Sequence, residues 1–123
     1  MNFLLVMIGG AVGSAGRYAV GKLTLDALGP DYPWGTLAVN LVGGFLMGLL
    51  AGMLARTGGS EHGRLLIGVG LLGGFTTFSA FSLDAALMIE RGQWGAAITY
   101  ALISVIGSVL ALFAGLYLVR AVA

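Results

Sequence analysis

Residues 65–89 read LLIGVGLLGGFTTFSAFSLDAALMI, and the fold follows from how this stretch is read. A bilayer-spanning helix needs roughly 20 apolar residues at about 1.5 Å rise each. The stretch has that length, and Asp84 is its only charge. Its middle, from Gly73 through Phe81, suits a helix poorly, because paired glycines and paired β-branched threonines disfavour continuation. An interruption at residues 73–81 frees backbone N–H and C=O groups, which lipid tolerates only when they are buried in protein or face a cavity.

The rest of the chain places this stretch third of four. Residues 3–20, 35–55 and 94–119 are also apolar enough to span, and the last two carry no charge. The chain is 59% hydrophobic and only 9% charged. Soluble domains carry about 25% charged residues, and a soluble chain this apolar would expose large patches and aggregate. The expectation is an all-α membrane protein of one domain, residues 1–123, with four transmembrane helices and the third broken at residues 73–81. Polar connections at 24–33, 56–64 and 90–93 fit this division, and Trp34 and Trp94 stand at span entrances, where amphipathic rings prefer the interface. Residues 1–16 contain no Lys or Arg, so the first segment reads as a span rather than a signal peptide.

Four spans put both termini and the central connection on one side. That side carries Arg56, Arg64 and Arg120, against Arg17, Lys22 and Arg91 on the other. The positive-inside rule has nothing to act on. Either other signals fix one topology, or the chain inserts both ways and pairs antiparallel.

Catalytic chemistry is poorly provided for, and no enzyme is expected. Cysteine is absent, and His62 is the only histidine. No cluster of titratable groups lies in a span, as a hydrolase or metal enzyme would need. The net charge of +1 gives no nucleic-acid footprint. Residues 68–73 match GxGxxG, but the dinucleotide motif follows a strand, and here it lies within a lipid-length helix. Small residues at Gly9 and Gly13, at Gly44, Gly48 and Gly52, and at Gly107, Ala111 and Gly115 recur every four positions, the spacing of close helix packing.

Polar residues inside the spans are more diagnostic. Thr36 and Asn40 share one face of the second helix, and Tyr100, Ser104 and Ser108 share one face of the fourth. Such groups either bond between helices or line a polar track for an ion or water. In the interruption, freed carbonyls are hard oxygen ligands suited to a hard cation such as Na⁺. Phe78 and Phe81, three apart, offer ring edges of partial positive charge that can face an anion.

In this order the motifs resemble the Fluc (CrcB) family of fluoride channels. GSAGRY at 13–18, GTLAVNLVG at 35–43 and GGFTTFSAF at 73–81 resemble the family's first-helix motif, its GTxxxN signature and its GGxTTFSTF break. Tyr100, Ser104 and Ser108 fall where its fourth-helix polar track lies. The resemblance implies an antiparallel, dual-topology homodimer in the cell membrane that exports fluoride passively through two pathways. Phe78 and Phe81 match the phenylalanine box and Asn40 the conducting-path asparagine. With Thr77, Ser79, Tyr100, Ser104 and Ser108 they make up the expected ion pathway. The resemblance also implies a structural Na⁺ held by the backbone carbonyls of Gly73 and Thr76 from both subunits, and a structural or vestibule role for Arg17. Asp84 and Glu90 stand at the pathway mouth. The family usually has Thr where this chain has Ala80, so one hydroxyl beside the phenylalanines is missing.

Two rivals compete with this reading. A small dual-topology proton-coupled multidrug antiporter needs a carboxylate inside the bundle, typically in the first helix, and residues 1–25 contain none. A non-transporting assembly subunit accounts for the glycine stripes but leaves Asn40, the interruption and the Tyr100 stripe unexplained.

Overall fold

The structure is a computed structural model and describes residues 1–122. The helices are α1 (Asn2–Leu28), α2 (Trp34–Thr57), α3 (Glu61–Gly63), the π-helix π1 (Arg64–Leu72), α4 (Gly73–Phe75), α5 (Ser79–Glu90) and α6 (Trp94–Ala121). α3, π1, α4 and α5 follow one another along the third span. Four helical runs, Asn2–Leu28, Trp34–Thr57, Glu61–Glu90 and Trp94–Ala121, are long and apolar enough to cross a membrane. Large side chains point outward along them, with Phe3 86% exposed and Leu110 62% exposed. In water such a surface would aggregate; against lipid it is the ordinary exterior. The chain is a multi-pass membrane protein.

The helices overrun the apolar segments that predict them. α1 passes through Lys22, Thr24 and Asp26, in part because the Thr24 hydroxyl donates back to the Val20 carbonyl at 2.9 Å and needs no outside partner. It stops at Gly29, where φ is +82° and Pro30 follows. The third span starts earlier than its apolar run, because the Ser60 hydroxyl accepts from the Gly63 N–H at 3.2 Å, a helix N-cap bond. Around the expected interruption at 73–81 the helical parts are wider than the sequence predicts. Gly73–Phe75 and Ser79–Phe81 are helical, and only residues 76–78 lie outside helix. π1 has no counterpart in the sequence reading.

α2 lies along α6, and α1 lies along π1 and α4. The glycine stripes serve these contacts. A Cβ on Gly48 would overlap the Leu112 carbonyl of α6, and one on Gly115 would overlap the Phe45 carbonyl of α2. Likewise Gly9 and Gly13 of α1 face the backbone at Leu66 and Leu71. Without a hydrophobic drive between helices in lipid, association rests on this backbone approach. The buried cluster is small: Leu37, Met88, Ala97 and a fully buried Tyr100. It joins α2, α5 and α6 on one side of the non-helical interval.

Gly48→Leu is expected to abolish the folded, monodisperse chain in detergent, because backbone on α6 cannot yield to a side chain. Gly95→Ala meets nothing within 4 Å and is expected to be neutral or to stabilise α6 by up to about 1 kcal/mol. SDS unfolding titrations compare the two.

Candidate functional site

The site forms where α4 ends and α5 begins. Thr76 has φ −83° and ψ 155°, an extended conformation that turns the chain out of the helix. Four helical carbonyls near this end need other partners. Leu72 O keeps two, the Thr76 N–H at 3.0 Å and the Thr76 hydroxyl at 2.9 Å. Gly74 O accepts from Arg17 Nε of α1 at 3.2 Å. Among the described residues the carbonyls of Gly73, Phe75 and Thr76 receive no hydrogen bond.

α2 reaches this interval through Asn40. Its Nδ2 donates to Thr77 O at 3.0 Å, and its Oδ1 accepts from the Thr77 N–H at 2.9 Å. The pair satisfies both backbone groups of Thr77, as a neighbouring β-strand would. The Thr77 hydroxyl accepts from the Ala80 N–H at 3.1 Å and so caps the first turn of α5. Gly43, one turn beyond Asn40, leaves room for the Thr76 methyl, which a Cβ would overlap.

Asn40, Thr77, Phe78, Phe81, Ser104 and Ser108 line one open groove of about 410 Å³, together with Thr76 and apolar residues of α2 and α6. The Phe78 and Phe81 rings lie 5.4 Å apart, tilted by 45°, and Phe78 is 75% exposed. Ser108 Oγ donates to Asn40 O at 3.3 Å. Ser104 Oγ is buried and has no partner among the described residues. Six of the eight predicted pathway residues therefore meet in one place. Ser79 and Tyr100 lie outside the groove lining. Ser79 Oγ pairs with Thr77 Oγ1 at 3.3 Å. Tyr100 is fully buried behind Phe81, at 5.1 Å between centroids, and its hydroxyl donates to Asp84 Oδ2 at 3.2 Å.

A second pocket of about 250 Å³ lies beyond Tyr100, with Thr24, Tyr32, Trp34, Thr36 and Asp84 among its lining. Tyr32 and Tyr100 meet edge-on at 5.6 Å. Tyr32 belongs to the α1–α2 connection, and burial pushes its phenol above the ordinary value. Sequence reasoning missed Tyr32, because a tyrosine between Asp31 and Pro33 reads as a turn. Asp84 is left open by sequence, since no spacing rule joins it to Tyr100 on another helix.

The described residues contain no group of three or more His, Cys, Asp or Glu able to hold a metal. The oxygen ligands on offer are the unbonded carbonyls. They suit a hard cation in type, but Gly73 and Thr76 of one chain supply only two.

Residues 4–116 match the family described as CrcB-like protein, Camphor Resistance (CrcB). A protein of Phenylobacterium zucineum, named Fluoride-specific ion channel FluC, is 60% identical over 121 residues, which is 97% of this chain and 95% of the relative. The chain belongs to the CrcB family. Relatives of the same name from Caulobacter sp. and Mesorhizobium japonicum are 57% and 54% identical, each across 97% of this chain and across 94% and 96% of their own lengths. The CrcB chain described here thus carries its Asn40, Arg17 and 73–81 segments within a full-length likeness.

Arg17→Met is expected to lower stability by about 1.5–3 kcal/mol, the range for a hydrogen bond to a charged group. Arg17→Lys should recover part of that loss. The midpoint of SDS unfolding reads both.

Proposed function

We propose that this protein is a fluoride-selective channel in the cell membrane, built from two copies in opposite orientation, which lets fluoride leave the cell down its gradient. The observation that carries the reading is the groove, where Asn40, Ser104 and Ser108 meet the Phe78–Phe81 pair beside the non-helical interval. The relatives named fluoride-specific ion channels support it.

Fluoride is small and strongly hydrated, so entry needs donors that replace water. The unpartnered Ser104 hydroxyl can donate, as can the Asn40 N–H left over from its pair with Thr77. The phenylalanine edges add weak positive potential. None of these groups carries a full charge, so an ion that enters can also leave. Arg17, the cation nearest the interval, is engaged by the Gly74 carbonyl, which supports a structural role. Tyr100 and Ser79 serve the pathway from behind its lining, through Asp84 and through Thr77, which lines the groove and caps α5.

The open groove along α2 and α6 is half of an enclosure, and a second copy supplies the rest. The even split of Lys and Arg between the two sides permits that copy to be inverted. A Na⁺ on the two-fold axis would be held by the carbonyls of Gly73 and Thr76 from both copies. When bound it would supply a fixed positive charge near the pathways, and the lack of any hydrogen bond to these carbonyls supports the assignment.

Protein reconstituted in liposomes with the potential shunted is expected to release fluoride and retain chloride. Phe81→Ile should cut fluoride efflux at least roughly tenfold, about 1.4 kcal/mol, with folding unchanged. Equal release of both ions sinks the selectivity. Replacing Na⁺ with N-methyl-D-glucamine on both sides should slow efflux or dissociate the dimer; indifference in both refutes the cation site.

A further inference from the structure

We propose that Asn40 is a positioning residue, which sets the Phe78 and Phe81 rings by holding Thr77, and that Thr77 transmits this through its hydroxyl cap on α5. The inference rests on the reading above of the ring pair as ion-facing. A carboxamide has one oxygen acceptor and two N–H donors. The oxygen takes the Thr77 N–H and one donor goes to Thr77 O, so a single N–H is left for an ion. The Thr77 hydroxyl, in turn, is held by the Ala80 N–H and by Ser79.

The chain of bonds runs across three spans. Ser108 of α6 donates to the backbone carbonyl of Asn40, Asn40 holds both backbone groups of Thr77, and Thr77 caps α5 at Ala80. Phe78 directly follows the held residue, and Phe81 lies in the first turn of the capped helix. No other side chain of the described residues bonds the backbone of residues 76–78 from a different helix. The angle at which α5 leaves the interval, and with it both rings, is therefore set from α2.

The test separates positioning from ion contact. Phe78 is replaced by 4-fluorophenylalanine and its ¹⁹F resonance recorded in fluoride-free detergent, a readout that needs no conduction. Asn40→Ala removes the whole pair. An ester in place of the Thr77 amide removes the Thr77 N–H and weakens the Thr76 carbonyl as an acceptor, and it leaves every side chain in place. Na⁺ is kept in excess in all samples, so that a lost cation does not stand in for the lost N–H. Both changes are expected to shift or broaden the Phe78 resonance. Fluoride efflux should fall roughly tenfold in Asn40→Ala, about what two intramembrane hydrogen bonds support, and by a smaller factor in the ester. Efflux that falls with the resonance unmoved makes Asn40 an ion ligand only and overturns the proposal, as does a moved resonance with unchanged efflux. If Asn40→Ala does not fold, the ester decides by the same two readouts. If the parent protein carries no fluoride, the channel reading fails, while the resonance still judges whether Asn40 sets the ring through Thr77.

Discussion

Everything at the centre of this protein depends on one constraint: in lipid, backbone polar groups have no water to fall back on. Residues 76–78 leave the helix, so their N–H and C=O groups must be met by protein, by an ion or by a partner. Asn40 of α2 meets both backbone groups of Thr77. The helix ends on either side are met by Arg17 of α1 at the Gly74 carbonyl, by the Thr76 hydroxyl at the Leu72 carbonyl and by the Thr77 hydroxyl at the Ala80 N–H. The close approach of the helices serves the same end. Arg17 reaches Gly74 because Gly9 and Gly13 let α1 sit against π1 and α4, and a Cβ at either would strike backbone.

The four spans, and the shared faces of Thr36 with Asn40 and of Tyr100 with Ser104 and Ser108, were legible in the sequence, because apolar length and i, i+4 spacing are local signals. That Asn40, Phe78, Phe81, Ser104 and Ser108 belong together came only from the motif resemblance. Helix ends were less so. Thr24 reads as polar loop, yet its hydroxyl bonds back along α1 and so needs no partner outside the helix. The extent of the interval was overestimated for a related reason. Gly73 and Gly74 are weak helix formers by propensity, but Gly74 lies against Gly10 of α1, and tertiary packing decides over propensity there. The pairing of Tyr100 with Asp84 joins two helices, and the bond between Asn40 and Thr77 spans 37 residues of sequence. Neither has a pattern within one helix to announce it.

The carbonyls of residues 73–77, at the end of α4 and the start of the interval, fall into two sets. Those of Gly74 and Thr77 are taken by Arg17 and Asn40, while those of Gly73, Phe75 and Thr76 take no bond from the chain itself. A protein that only needed a kink would gain by satisfying all five. Leaving hard oxygens open costs stability in lipid unless something outside the chain meets them, and under the proposed reading that is a cation shared with a second copy. The hydroxyl of Ser104 poses the same problem on the groove side, where a donor without an acceptor suits an anion. Open acceptors and an open donor in one chain are compatible with the separate cation and anion sites of the proposed reading.

Ala80 is where this chain departs from the motif it resembles, and the structure narrows what that departure can mean. A hydroxyl at residue 80 is not needed to start α5, since Thr77 already caps the Ala80 N–H. Nor is it needed to satisfy Ser79, whose hydroxyl pairs with that of Thr77. Neither the helix nor its neighbours lose a partner when residue 80 is alanine. If a threonine hydroxyl at this place has a function in relatives, that function lies with the ion or with the second copy. Under the proposed reading, the donors this chain still offers an anion near the phenylalanines include the spare N–H of Asn40, the hydroxyl of Ser104 and the one hydroxyl hydrogen that the Thr77–Ser79 pair leaves unused.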